Sequence, residues 1–222
     1  MIEALIFDLD DTLFPEYQFV ISGFRQVGEW IAKTRAVSGF FEIAKQLFDA
    51  GNRGKIFDAA LDQLGLAHDK EIIDQMVSVY RGHKPDLTLY EDAVWALNYF
   101  KETKKLGLIT DGYFLTQKNK VEALGIEGVF DSIIYSDELG RGHWKPSEVP
   151  YRKMMEFLGC KGDSCVYVAD NPVKDFVGPR LLGWKTIQVY RENGQYGKNS
   201  VSAQYLPDTI VHSLIELGDI VK

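Results

Sequence analysis

Two cysteines in 222 residues, Cys160 and Cys165, are too few for a disulfide scaffold, and a reduced state with core packing is expected for them. No apolar run approaches the ~20 residues needed to span a bilayer. Basic residues are in deficit: 25 Lys and Arg stand against 32 Asp and Glu, a net charge of −7. That balance argues against nucleic acid or an anionic membrane as the main partner, since both reward clustered cations. No basic region precedes a leader at Met1-Ile2-Glu3-Ala4, so no secretory signal is expected and the location reads as cytoplasmic. The four histidines, His68, His83, His143 and His212, are dispersed and read as surface or capping residues. Internal repeats, low-complexity tracts and long charge runs are also missing. What is present is ordinary for a globular chain: 45% hydrophobic, 13% aromatic and 26% charged residues. A chain of this size buries roughly 70% of its unfolded surface.

The first element, Ala4-Leu5-Ile6-Phe7, is a short apolar run ending in Asp8-Leu9-Asp10-Asp11-Thr12, the pattern of a buried strand. From Pro15 to about Asp86 the periodicity is helical: Tyr17, Val20, Phe24, Val27 and Ile31 share a face, and helices are predicted over 40–49, 56–64 and 70–81. Residues 87–222 then alternate. Strands are predicted at 106–109, 133–135, 165–169 and 186–189, separated by helices around Val94–Phe100, Phe114–Leu124, Tyr151–Leu158 and Val173–Leu182. Gly178-Pro179 must shorten or kink the last of these, and an amphipathic stretch over 211–220 closes the chain. Such alternation implies a doubly wound parallel sheet, an α/β Rossmann-like core of residues 1–14 and 87–222, with a helical cap inserted at 15–86.

Ligands of such sheets bind beyond the carboxyl ends of the strands, and that is where polar residues gather. Strand one ends in Asp8 and Asp10, the next in Thr110-Asp111-Gly112; Lys145-Pro146 follows the third, and Asp170 ends the fourth with Asp175 nearby. Strand periodicity points Asp8 and Asp10 to the same side. Close carboxylates need protons or a cation to coexist. An all-oxygen set without Cys or His suits Mg²⁺ rather than Zn²⁺. Thr110-Asp111-Gly112 offers a hydroxyl and backbone N–H groups at a strand-to-helix turn, an anion site. Lys145 adds a mobile point charge. Each motif alone reads as a turn, cap or solvated strand end; together they describe a site for a phosphoryl group.

This ordered set resembles the haloacid dehalogenase superfamily. Asp8-Leu9-Asp10-Asp11-Thr12 is similar to its first motif, Asp-x-Asp-x-Thr, and Thr110 with Asp111-Gly112 to its second. Lys145-Pro146 matches the third, and Asp170-Asn171-Pro172-Val173-Lys174-Asp175 the fourth. The insertion after motif one matches the subclass with a helical cap there. Ala169, Asp111 and Gly178-Pro179 depart from the common pattern, but none removes a reactive group. The resemblance implies that Asp8 attacks phosphorus to give an aspartyl-phosphate, and that Asp10 serves as acid and then base. It implies Mg²⁺ on the Asp8 carboxylate, the Asp10 main-chain carbonyl and Asp170. Thr110, Asp111, Gly112 and Lys145 would bind the phosphoryl oxygens, with Thr12, Asn171 and Asp175 in support.

Rival readings stay open: a carbon–halogen hydrolase, which lacks the acid at the position of Asp10; a phosphomutase; and a phospho-accepting switch module, whose accepting Asp lies on a middle strand of a shorter domain. The expected partner is a small phosphorylated metabolite such as a sugar phosphate, phosphoglycolate-like acid or nucleoside monophosphate, with no nucleic acid or membrane. The chain is expected to be a monomer or homodimer. A cap after the nucleophile strand is expected to close over the catalytic edge and exclude large substrates. Tyr17, Arg25, Arg53 and Lys55 of the cap, and Trp144 beside Lys145, are the candidates for substrate contact; Trp30, Trp95 and Trp184 are expected to pack.

Overall fold

The computed structural model describes residues 1–192, 194, 202 and 205–222. They divide into two compact units, Met1–Glu16 with Leu87–Lys222, and Tyr17–Asp86.

The first unit is built on six parallel strands: β1 (Ala4–Phe7), β2 (Lys105–Thr110), β3 (Ser132–Tyr135), β4 (Cys165–Ala169), β5 (Lys185–Val189) and β6 (Thr209–Val211), in the order β3-β2-β1-β4-β5-β6. β1 is central because its four side chains are apolar and fully buried, which only a strand covered on both faces tolerates. One face, carrying Ala4, Ile6, Ile109, Ile134 and Tyr167, packs on Tyr151, Met154 and Leu158 of a helix over Val149–Leu158. Period-2 alternation sends Leu5 and Phe7 to the opposite face. There a helix over Glu91–Phe100 packs against β2 and buries Ala93, Ala96, Leu97 and Phe100. Strand order reverses direction at β1 and β4, so the crevice of this sheet lies beyond Phe7 and Ala169.

The second unit is helical: α1 (Glu16–Arg35, beginning one residue earlier in the core), α2 (Phe40–Asp49), α3 (Ile56–Gln63) and α4 (Lys70–Gly82). Its core holds Val20, Phe24, Val27, Ile31, Phe40, Ala44, Leu61 and Met76. Asp69 caps α4 by accepting from Ile72 N at 3.0 Å. His83 ends that helix buried, its ring nitrogens 2.6 Å from the Tyr80 carbonyl and 3.1 Å from Ser22 Oγ.

The core's helices follow as α5 (Glu91–Phe100), α6 (Phe114–Leu124), α7 (Val149–Leu158), α8 (Val177–Leu181) and α9 (Leu217–Ile220). Two expectations need correction. The helix predicted over 173–182 begins only at Val177, because Asn171 and Asp175 tie the preceding chain into a turn. Val173 N donates to Asn171 Oδ1 at 3.0 Å, and Asn171 N to Asp175 Oδ2 at 3.1 Å. The amphipathic stretch at 211–220 is the end of β6, a 3₁₀ turn at Leu214–Glu216 and the short α9. Asp208 accepts from Thr186 N at 2.8 Å and draws Thr209–Val211 into the sheet.

Candidate active site

β1 ends at Phe7, but Asp8 N still donates to Val168 O at 2.9 Å, which holds the Asp8 carboxylate at the mouth of the crevice, 3% exposed. Lys145 Nζ reaches it from the loop before α7, donating to Asp8 Oδ1 at 2.5 Å and to Tyr167 Oη at 3.0 Å. The same ammonium pairs with Asp175 Oδ1 at 2.8 Å. Lys145 was expected to be a mobile charge; instead three partners fix it and its side chain is fully buried. The Lys145–Pro146 bond is cis, and Lys145 N donates to Asp111 Oδ2 at 3.1 Å. Asp111 thus anchors the lysine loop to the end of β2.

Asp8, Asp170 and Asp175 each offer a carboxylate oxygen within 4.8 Å of the others. Burial pushes the Asp8 and Asp170 carboxyls up from their ordinary values. Asp175 adds to the rise at both, while Lys145 opposes it at Asp8. At Lys145 burial alone would lower the pKa, but Asp175 and Asp8 outweigh it and hold the ammonium well above its usual range. Three carboxylates face two ammonium groups, Lys145 in direct contact and Lys174 acting through charge on Asp8, Asp170 and Asp175. Negative charge is still in excess in a buried place, and a hard divalent cation with oxygen ligands fits that donor set.

The strand-periodicity argument does not carry to Asp10, which lies past the end of β1 in a tight loop. Asp11 adopts φ 52° there, a left-handed conformation that Asp tolerates better than most residues, and accepts from Glu16 N at 2.9 Å. Asp10 therefore has partners of its own on α6. Lys120 Nζ donates to its Oδ1 at 2.7 Å and Gln117 Nε2 to its Oδ2 at 2.8 Å. Gln117 Nε2 also donates to Thr110 Oγ1 at 2.5 Å, and Gly112 turns the chain at φ 131°. Thr12 is buried, and its carbonyl accepts from Arg191 Nη2 at 2.8 Å. Arg191 is itself held by Asp92 at 2.7 and 3.0 Å. Glu16, partly buried beside Asp10, is pushed up to about 7, burial being the first cause and the Asp10 charge the second.

The structure thus gathers Asp8, Lys145, Asp170 and Asp175 into one cluster, and links Asp10 to Thr110 through Gln117. Within the helical unit, Tyr17 Oη donates to Asp49 at 3.1 Å and Arg25 lies over the Phe41 ring at 5.3 Å. Arg53 and Lys55 edge a cavity of about 330 Å³ floored by Phe24, Phe48, Phe57 and Tyr80. Trp144 stands edge-on to Tyr113. Sequence reasoning missed Gln117, Lys120 and Tyr167. The readable trace of the first two was a helix directly after Thr110-Asp111-Gly112 whose buried positions include Thr116, Gln117 and Lys120 beside the apolar Val121.

A family model described as haloacid dehalogenase-like hydrolase matches residues 5–189. The chain belongs to this family. Among haloacid dehalogenase-like hydrolases it is similar to a glyceraldehyde 3-phosphate phosphatase of Methanocaldococcus jannaschii, at 32% identity over 100% of this chain and 98% of the relative. A pyrophosphatase PpaX of Halalkalibacterium halodurans is 27% identical over 99% of this chain and 97% of the relative. The crystal structure of a 2-haloacid dehalogenase from Pseudomonas syringae pv. Tomato DC3000 matches with a TM-score of 0.69 at 23% identity, covering 100% of this chain and 98% of the other. That last likeness concerns the fold alone.

Proposed function

We propose that this haloacid dehalogenase-like hydrolase is a Mg²⁺-dependent phosphatase acting on a small cytoplasmic phosphomonoester through an aspartyl-phosphate. The chain is a phosphoric monoester hydrolase, and the observation that carries the finer reading is the separate partnering of two acids. Asp8 sits with Lys145 beside Asp170 and Asp175, while Asp10, in the loop after β1, is held by Gln117 and Lys120 of α6, and Gln117 also reaches Thr110.

In this reading an Asp8 carboxylate oxygen forms a bond to phosphorus as the ester P–O bond breaks, and Asp10 gives its proton to the departing oxygen. Water then attacks the phosphorus of the aspartyl-phosphate, Asp10 takes the water's proton, and Asp8 leaves as carboxylate with inorganic phosphate released. Lys145 and the Thr110 hydroxyl stabilise charge on the phosphoryl oxygens. Asp8, Asp170 and the Asp10 carbonyl would hold the cation, with Asp175 aligning Lys145. When bound, the cation supplies charge neutralisation between the Asp8 carboxylate and the phosphoryl group. Asp10 disfavours the carbon–halogen alternative, because a departing halide needs no proton.

The triose phosphate named for the archaeal relative is the first substrate to try. A panel of triose, sugar, glycolate-type and nucleoside monophosphates, pyrophosphate and 2-haloacids, assayed with Mg²⁺, tests the reading. Multiple-turnover phosphate release, lost in Asp8→Asn, is the expected result. Isomerised sugar phosphate without free phosphate would make the chain a mutase, a single turnover would make it a switch, and halide release would make it a dehalogenase.

A further inference from the structure

Helix α6 turns polar groups inward. Gln117 is 1% exposed and Lys120 2%, and at a spacing of three residues they share one helix face. A buried amide and a buried ammonium are tolerated only with partners that offset desolvation. The partners are the two oxygens of Asp10 and the hydroxyl of Thr110.

We infer that Gln117 and Lys120 are positioning residues for the reaction. Both fix the carboxyl of Asp10, and Gln117 also orients the proton of Thr110. The inference rests on the acid–base role proposed for Asp10. A threonine hydroxyl has one hydrogen and two lone pairs. With a lone pair taken up by the Gln117 amide, the Thr110 hydrogen is directed elsewhere, toward a phosphoryl oxygen at the end of β2. Holding each Asp10 oxygen from the same helix sets the direction in which the carboxyl meets the departing oxygen. Misplacement of such a group by about 1 Å costs on the order of a hundredfold in rate. Gly112 belongs to the same device. A Cβ there would lie 3.0 Å from Gln117 Cδ and 3.1 Å from its Oε1, at a φ of 131°. The bare backbone is what leaves room for the Gln117 amide.

Leaving-group dependence separates this role from simple packing. Gln117→Leu, Lys120→Met, Lys120→Arg and Asp10→Asn are to be compared on the best alkyl phosphate of the panel and on p-nitrophenyl phosphate, whose leaving group needs little protonation. Leaving-group bias is read in kcat/KM, which reports formation of the aspartyl-phosphate; kcat also contains its hydrolysis, a step common to both esters in which Asp10 is the base. Lys120→Met is expected to lower kcat/KM about tenfold or more on the alkyl ester but less than about threefold on the aryl ester. Gln117→Leu should lose on both, because Thr110 is also released, and more on the alkyl ester. Lys120→Arg should keep most activity. In an Asp10→Asn background Lys120→Met should add no further loss. Equal losses of kcat/KM on both esters in variants folded by circular dichroism, or losses that multiply with Asp10→Asn, would overturn the inference. Absence of leaving-group bias in the kcat/KM of Asp10→Asn itself would instead overturn the acid role on which it rests.

Discussion

At the scale of single residues, Lys145 decides the charge state of the site. Its side chain is fully buried between Asp8 and Asp175, so removing the ammonium leaves both carboxylates without their direct ion-pair partner, with Lys174 acting on them through charge alone. Lys145→Met should lower kcat about a hundredfold or more and destabilise the metal-free protein by about 3–5 kcal/mol, with part of that loss recovered in Mg²⁺. Urea unfolding in chelator and in Mg²⁺ measures both halves of the statement. A variant as stable as the parent in chelator would count against it. Glu16 offers a second test at this scale. Its carboxyl, pushed up to about 7 chiefly by burial, holds a proton in the folded state that it has lost in the unfolded state between its ordinary value and about pH 7. A raised acid of this kind makes the folded state more stable toward low pH and less stable as pH rises through that window. Glu16→Gln should flatten the fall in melting temperature between about pH 5 and pH 7, which thermal denaturation across that range will read.

At the scale of elements, every strand but β6 was legible and the polar helix face was not. Ala4-Leu5-Ile6-Phe7 and Cys165-Val166-Tyr167-Val168-Ala169 are continuous apolar runs that end in acids, so strand identity and site edge could be read together. Helix α6 was placed by length, but periodicity counts apolar residues, and three of its inward positions are Thr116, Gln117 and Lys120. The partners of Asp10 therefore escaped notice. The short α8 shows a different limit. Gly178 sits inside α8 for a tertiary reason: a Cβ there would lie 2.6 Å from the Tyr151 ring and 2.9 Å from the Pro146 carbonyl. No local rule contains that information. Gly178→Ala should push α8 off α7, destabilising the fold by about 1–3 kcal/mol. It should also lower kcat, because Pro146 follows Lys145, to which a charge-stabilising role is proposed, in the same loop. A denaturant titration together with steady-state kinetics checks the two effects, and loss of stability with unchanged kcat would break the proposed link.

At the scale of the whole molecule, the proposed cation site in the acid cluster is expected to link stability to Mg²⁺. A ligand at about a hundred times its Kd adds about 2.7 kcal/mol to the state that binds it. For a chain of this size Mg²⁺ at that level should raise the melting temperature by about 5–10 °C. The shift should vanish in Asp170→Asn, which a thermal scan with and without chelator will read. Of the described residues, no helix is long and apolar enough to cross a membrane. The strand order carries one more consequence, in time rather than in space. Ala4 of the central strand pairs with Lys105 on one side and Cys165 on the other, yet both partners are made long after it. At about 5–20 residues per second of synthesis, the opening strand waits on the order of ten seconds before its second neighbour exists. Through that interval a sticky Ala-Leu-Ile-Phe segment lacks at least one of its two neighbours, flanked at once by Asp8, Asp10 and Asp11. Charges beside an unavoidable apolar strand act as gatekeepers against self-association. The acids proposed to act in chemistry are thus also placed to guard the nascent chain.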